Sequence, residues 1–244
     1  MKQFITGFFV FLFLSQSVWA KDEKMHFHVK YGFIKGGEVD MYIKDTVFNG
    51  KPAIYYKIDG RTTGVTNAIY GVREIYETIV DAETLLPQKA IRDVKEGNYT
   101  RYNETLFYHD IDSLQSLRKG RREMPHNLVD IISGFFYFVN KNPFDDIQAG
   151  DAVPYSVYHA DKILDISIKF LREEIIKTDI GQSNCYVLSP QFKAGKMFSR
   201  SDAIKVYISK EKKVPVYLEL ETVFGSLKGK MKSYTIDGVE QKTK

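Results

Sequence analysis

The chain has 244 residues, of which 43% are hydrophobic and 27% charged, and its formal net charge is +4. Basic and acidic residues are intermixed, so this small surplus does not make the electrostatic footprint of a nucleic-acid-binding protein. One cysteine, Cys185, excludes any disulfide within the chain.

Residues 1–20, MKQFITGFFVFLFLSQSVWA, place Lys2 ahead of an unbroken apolar run from Phe8 to Leu14. Small residues follow, with Val18 and Ala20 at the −3 and −1 positions of a cleavage site. A membrane-spanning helix needs about 20 apolar residues. This run is shorter, so the segment reads as a secretory signal peptide cut after Ala20. The expectation is an exported protein, periplasmic or secreted. No cysteine follows the apolar core, so a lipoprotein is not expected. Loss of Lys2 leaves the mature chain at +3. Residues 21–244 hold no second long apolar run, internal repeat or clear linker, and read as one domain.

Beyond residue 20 the patterning has period two. Less regular runs cover Phe27–Phe33, Glu38–Phe48, Ala53–Arg61, Arg73–Asp81, Gln88–Lys95 and Tyr99–Tyr108. Turn signals separate them at Gly36-Gly37, Asn49-Gly50, Leu86-Pro87 and Glu96-Gly97-Asn98. His26 and His28 share a face of the first strand, but a pair falls short of the three or four protein ligands of a zinc site. They read as residues of a frayed, solvated strand, and no metal site is expected. Arg118-Lys119-Gly120-Arg121-Arg122 reads as a solvated loop tip, with acidic glycans or lipid headgroups as its alternative partners.

Asn127 to Asn140 (NLVDIISGFFYFVN) breaks the rule, being apolar on nearly every side. Asn127 can cap a helix there, and Pro143 stops its continuation. A buried strand over Gly134–Val139 competes, because Phe, Tyr and Val favour strands. A helix hydrophobic all round must be covered all round, so a curved sheet is expected to wrap it.

The cleanest strands come last. Leu164, Ile166, Ile168 and Phe170 alternate with polar residues, as do Ile204, Val206 and Ile208, and Val216, Leu218 and Leu220. Cys185 lies in a strand-like stretch and reads as a buried, inert thiol. A hairpin over residues 214–234, turning at Gly225-Ser226, would face Glu219 and Glu221 with Lys228, Lys230 and Lys232. The fold class is therefore α+β and mainly β: a large curved antiparallel sheet, or half-barrel, around one central apolar helix.

No HExxH, GxSxG or phosphate-cradling glycine loop is present. No catalytic residue, metal or cofactor is assigned, and an enzyme is the least favoured reading. A sheet closing on an aromatic helix leaves either a packed core or an apolar cavity. The leading expectation is an envelope protein that holds a lipid, acyl chain or lipidated partner between sheet and helix. Phe135, Phe136, Val206, Leu218 and Leu220 are the candidate ligand-binding residues. The alternative is a structural or interaction module with a packed core, binding glycan or protein through surface aromatics.

Tyr31-Gly32-Phe33-Ile34-Lys35-Gly36-Gly37-Glu38 resembles the N-terminal signature of the exported bacterial DUF3108 family. Leu128–Val139, Val206-Tyr207-Ile208-Ser209, Val214-Pro215-Val216 and Phe224-Gly225-Ser226-Leu227 are similar to its later motifs. Lys210 stands where that family often has an acidic residue. The resemblance covers nearly all of residues 25–237 and implies export and a curved sheet around a helix. By analogy with lipoprotein carriers of that shape, it also implies hydrophobic ligands.

Overall fold

The computed structural model describes residues 21–141, 146–192, 202–222 and 225–243; the signal segment and its cleavage site lie outside them. β1 (Asp22–Tyr31), β2 (Ile34–Phe48) and β3 (Lys51–Thr62) are followed by the short helix α1 (Gly64–Ile69). β4 (Val72–Asp81), β5 (Pro87–Glu96), β6 (Tyr99–Tyr108), β7 (Ser113–Ser116) and β8 (Gly120–Glu123) continue the meander. β9 (Val129–Asp130) precedes the helix α2 (Ser133–Lys141). Then come β10 (Ala152–His159), β11 (Lys162–Thr178), β12 (Gly181–Phe192), β13 (Ile204–Ser209), β14 (Pro215–Thr222), β15 (Gly225–Ile236) and β16 (Val239–Glu240).

These strands form one 16-stranded sheet. Spatial order follows chain order in two arms: β8 back to β1, then β15 back to β9, with β16 on β15. β1 pairs with β15 and so joins the arms. All pairings are antiparallel except β9 with β10. The sheet is not closed, because β8 and β9 do not pair with each other.

The long central helix expected over Asn127–Asn140 is absent, and α2 has nine residues. The reason lies in Asp130. Asn127 adopts a left-handed φ of 56° instead of capping, and Val129-Asp130 pair with Val157-Tyr158 as strand. The Asp130 carboxylate then accepts hydrogen bonds from the backbone N–H of Ile132 (2.8 Å) and Ser133 (3.2 Å). That local turn satisfies the free amides of a helix that starts only at Ser133.

Three turn or loop assignments also change. Gly36-Gly37 lies inside β2, and the turn falls earlier, at Gly32 (φ 58°) and Phe33. Gly37 is needed for close approach instead: a Cβ there would sit 2.7 Å from the Arg61 carbonyl oxygen. Gly225 and Ser226 pair with Thr222 and Glu221 inside the hairpin, so they do not form its turn. Arg121 and Arg122 belong to β8, where Arg121 lies over the Tyr108 ring and Arg122 donates to the Asp161 carbonyl.

The lysine stripe is only partly cross-strand. Lys228 stands opposite Glu219 and pairs with it at 3.4 Å, whereas Glu221 pairs with Lys205 at 3.1 Å. Lys230 and Lys232 bind Asp179. Glu219 also accepts hydrogen bonds from the Tyr207 and Tyr217 hydroxyls, so it is more than a surface ion-pair partner.

α2 sits between two apolar clusters. Phe136 packs with Met25, Phe27, Met41 and Met231 and stacks on Tyr56 with ring centroids 4.1 Å apart. Phe138 and Val139 pack with Ile168, Phe170, Leu188 and Ile208. Phe135 touches both clusters. The β6–β7 strands and the β10–β11 turn are bridged by side chains. Asp161, buried in that turn, accepts hydrogen bonds from Asn103 (2.8 Å), Ser116 (2.8 Å), Tyr158 (2.9 Å) and Arg101 (3.3 Å). Burial alone would raise the Asp161 carboxyl, but these bonds overcome it and hold the pKa below the ordinary carboxylate value.

Candidate functional site

Strand alternation turns Ile58, Met41, Leu218 and Val206 toward α2, each from a different strand. The helix in turn is pinned at its start by Asp130 and on one side by the Phe136–Tyr56 stack. These constraints leave Phe135 half-buried, with open space on two sides.

One cavity, of about 250 Å³, lies between Phe135 and the inner residues of β10 and β11, including Tyr155, Leu164, Ile166 and Ile168. A second, of about 170 Å³, lies between Phe135, Phe136, Met41, Ile58, Val206 and Leu218. Phe135, Val206 and Ile131 line both. A third and larger space, about 780 Å³, lies along the same strands where Val39, Gly60 and Leu220 succeed Met41, Ile58 and Leu218. Its walls include Tyr31, Ile34 and the side of α1 bearing Thr66.

Phe135, Phe136, Val206 and Leu218 thus lie together around the first two cavities, and Leu220 lies apart in the third. Phe136 is also a packed core residue, whereas Phe135 is not fully enclosed. Ile131, Met41, Ile58 and Tyr155 were not singled out from sequence. The Leu164–Ile168 alternation had marked an apolar face, but nothing local distinguishes the exposed Ile131 from any other surface apolar residue.

Titratable groups gather at the third space, where Tyr31, Glu38, Arg61 and Glu74 line the wall, and are sparse around the other two. His159 borders the first cavity, and burial followed by the charge of Arg92 pulls its imidazole below the ordinary value. Glu74 borders the third. Burial first, then its hydrogen bond to Glu96, pushes its carboxyl up to about 7. Cys185 lies outside all three, and burial pushes its thiol up to about 12. Such a thiol is not a nucleophile near neutral pH. His26 and His28 lie on the opposite face of β1, which is fully paired on both sides and is not a frayed strand.

The arrangement is two largely antiparallel meanders joined through β1 and β15 into one open sheet, with apolar space beneath a short aromatic helix. A family model described as "Protein of unknown function (DUF3108)" matches residues 26–232. The chain belongs to the DUF3108 family. This DUF3108 protein is similar in fold to a solved structure, the beta-barrel-like protein of domain of unknown function DUF1849 from Brucella abortus. The TM-score is 0.56 at 7% sequence identity, over 89% of this chain and 97% of that one. A DUF1089 family protein from Pseudomonas aeruginosa matches with a TM-score of 0.35 and 10% identity, over 78% and 87% of the two chains. No curated protein gives a significant match. Among the described residues of the DUF3108 protein, no helix is long and apolar enough to cross a membrane.

Proposed function

We propose that this DUF3108 protein is an exported, non-catalytic binder of a hydrophobic ligand, taken up between α2 and the sheet. In this reading the open sheet acts as a half-barrel whose concave face is covered by the helix. The ligand is a lipid, an acyl chain or the acyl group of a lipidated partner. The observation that carries the proposal is the pair of apolar cavities meeting at Phe135. Protein cores are close-packed and leave few voids larger than a water molecule. The two spaces together fall within the roughly 300–1,000 Å³ typical of small-molecule sites. Their walls are almost wholly apolar, with His159 and Tyr155 at the edge of the first, which favours an apolar occupant. The short apolar run of residues 1–20 and its small-residue flank support export.

The interaction-module reading is favoured by a different feature, the exposed apolar side chains of Tyr31, Phe33, Ile34, Val65, Ile69 and Tyr70. They cluster in sequence at the β1–β2 turn and α1. Tyr31 and Ile34 also border the largest cavity, so the same residues suit either a ligand entrance or a docking patch.

A pyrene-labelled fatty acid separates the readings. The carrier binds it saturably, and Ile131→Trp, which fills shared space from an exposed position, weakens binding about tenfold, or ~1.4 kcal/mol, at an unchanged melting temperature. Absence of saturable binding, with no change in melting on adding lipid, would transfer the function to the exposed patch.

A further inference from the structure

We propose that the outer face of β1 and β2 binds a divalent first-row transition-metal ion through His26, His28 and Glu38. His26 and His28 line none of the three cavities, Glu38 and Arg61 also border the third, and the site does not depend on the function of the two cavities that meet at Phe135.

Period-two geometry places both imidazoles on one face. The antiparallel register then sets Asp40 opposite His26 and Glu38 opposite His28. Four chemistry-bearing side chains therefore form a compact block. One ligand-type atom from each of His26, His28 and Glu38 lies within 4.8 Å of the other two. His28 Nε2 is 3.9 Å from Glu38 Oε1, and the two imidazole centroids are 5.3 Å apart, edge to face. Ligands about 2.0–2.2 Å from a tetrahedral zinc ion lie about 3.3–3.6 Å from one another. Side-chain torsions supply that closure of up to about 1.5 Å without moving the strands.

Asp40 gives the block its orientation. Its Oδ1 lies 2.8 Å from His26 Nδ1. A carboxylate can only accept, so the proton resides on Nδ1 and the Nε2 lone pair is left for an ion. A carboxylate behind a histidine in this way is the usual support of a metal-ligating imidazole. Arg61 donates to Asp40 Oδ2 at 2.9 Å and to Glu38 Oε2 at 3.0 Å. It fixes both carboxylates and leaves Glu38 Oε1 directed at the histidines.

Cations already near the block are its competitors. Lys35 donates to Glu38 Oε1 at 2.6 Å, and Lys232 lies close enough to act on His28. Lys232 is engaged by Asp179. Lys35 is 40% exposed and can swing into solvent when an ion takes its place. Two neutral imidazoles and one carboxylate make a borderline donor set, suited to Zn²⁺, Ni²⁺, Co²⁺ or Cu²⁺ and not to Ca²⁺ or Mg²⁺. Three protein ligands leave at least one coordination position for water or another molecule.

Calorimetric titration of the tag-free, chelator-treated mature chain with zinc chloride near neutral pH tests the site. The expected result is saturable binding of a single ion that excess Mg²⁺ or Ca²⁺ does not displace. His28→Ala lowers the affinity at least tenfold, and Asp40→Asn lowers it about 10–100-fold through the orientation of His26. Lys35→Met raises it, an effect that general damage to the strands cannot produce. No saturable zinc binding would overturn the proposal, as would wild-type affinity in a folded His26→Ala/His28→Ala protein. An affinity unchanged or lowered in a folded Lys35→Met protein would remove Glu38 from the ligand set and overturn the assignment made here.

Discussion

The protein treats two gaps in its sheet in opposite ways. Where β6 and β7 approach the β10–β11 turn, polar side chains bridge the gap and leave only a small space of about 30 Å³. Asn103, Ser116, Tyr158 and Arg101 converge on Asp161. Beneath α2 the walls are apolar and the space stays open around Phe135. A buried polar group without a partner is costly, so the first gap is bridged by side chains that satisfy one another. An apolar wall asks for nothing specific, so the second can accept whatever apolar molecule fits.

The sharpest way to break this contrast is Asp161→Ala. It removes the shared charged acceptor of Asn103, Ser116, Tyr158 and Arg101 and should cost about 3–5 kcal/mol in urea unfolding. A cost below 1 kcal/mol would mean the polar bridge does not hold the two arms together. Next in size is Phe136→Ala, expected to cost about 3 kcal/mol because it removes the Tyr56 stack from a packed cluster. The neighbouring Phe135→Ala faces space already open and should cost only about 1 kcal/mol, while changing the affinity for the fatty-acid probe. Equal costs for the two phenylalanines would place Phe135 in the core and remove the cavity reading.

A pH series extends the comparison to the third cavity. The Glu74 carboxyl is raised from an ordinary value near 4.5 to about 7 by burial and by Glu96. The folded state therefore holds a proton that the unfolded chain releases, which stabilises the fold in acid. That contribution is lost as pH rises from about 4.5 through 7. Glu74→Gln cannot ionise, so between pH 5 and 8 it should gain about 1 kcal/mol relative to wild type, after allowance for solvent screening. A difference independent of pH would show that Glu74 titrates normally. The smallest effect belongs to Lys228→Ala. Its ion pair with Glu219 is half exposed on the lysine side, and its loss should cost about 0.2–0.5 kcal/mol in thermal melts.

Much of the sheet could be read locally. Ile204, Val206 and Ile208 alternate with polar residues because one face of their strand meets the core, and period two records that directly. The same holds for Val216–Leu220 and for Leu164–Phe170. Gly36-Gly37 misled because glycine answers two needs, a positive φ or a close backbone approach, and composition does not tell them apart. Asn127–Asn140 misled for a related reason. Its apolar residues are needed in a β-bridge and in a helix alike, and the divider is Asp130, a buried carboxylate whose partners come from the chain just ahead and from Thr78 on β4.

By itself the sequence determined the local alternation, the mainly antiparallel meander, the buried state of Cys185 and the aromatic character of the segment that became α2. Each follows from short-range periodicity and side-chain chemistry. Tertiary structure alone decided that β1 closes on β15, that α2 begins at Ser133, and that Phe135 meets open space while Phe136 meets Tyr56. It also decided that Glu38 and Asp40 come to stand beside His26 and His28. These depend on which residues oppose one another across strands, and register is a property of the assembled sheet, set by all its pairings and bulges together.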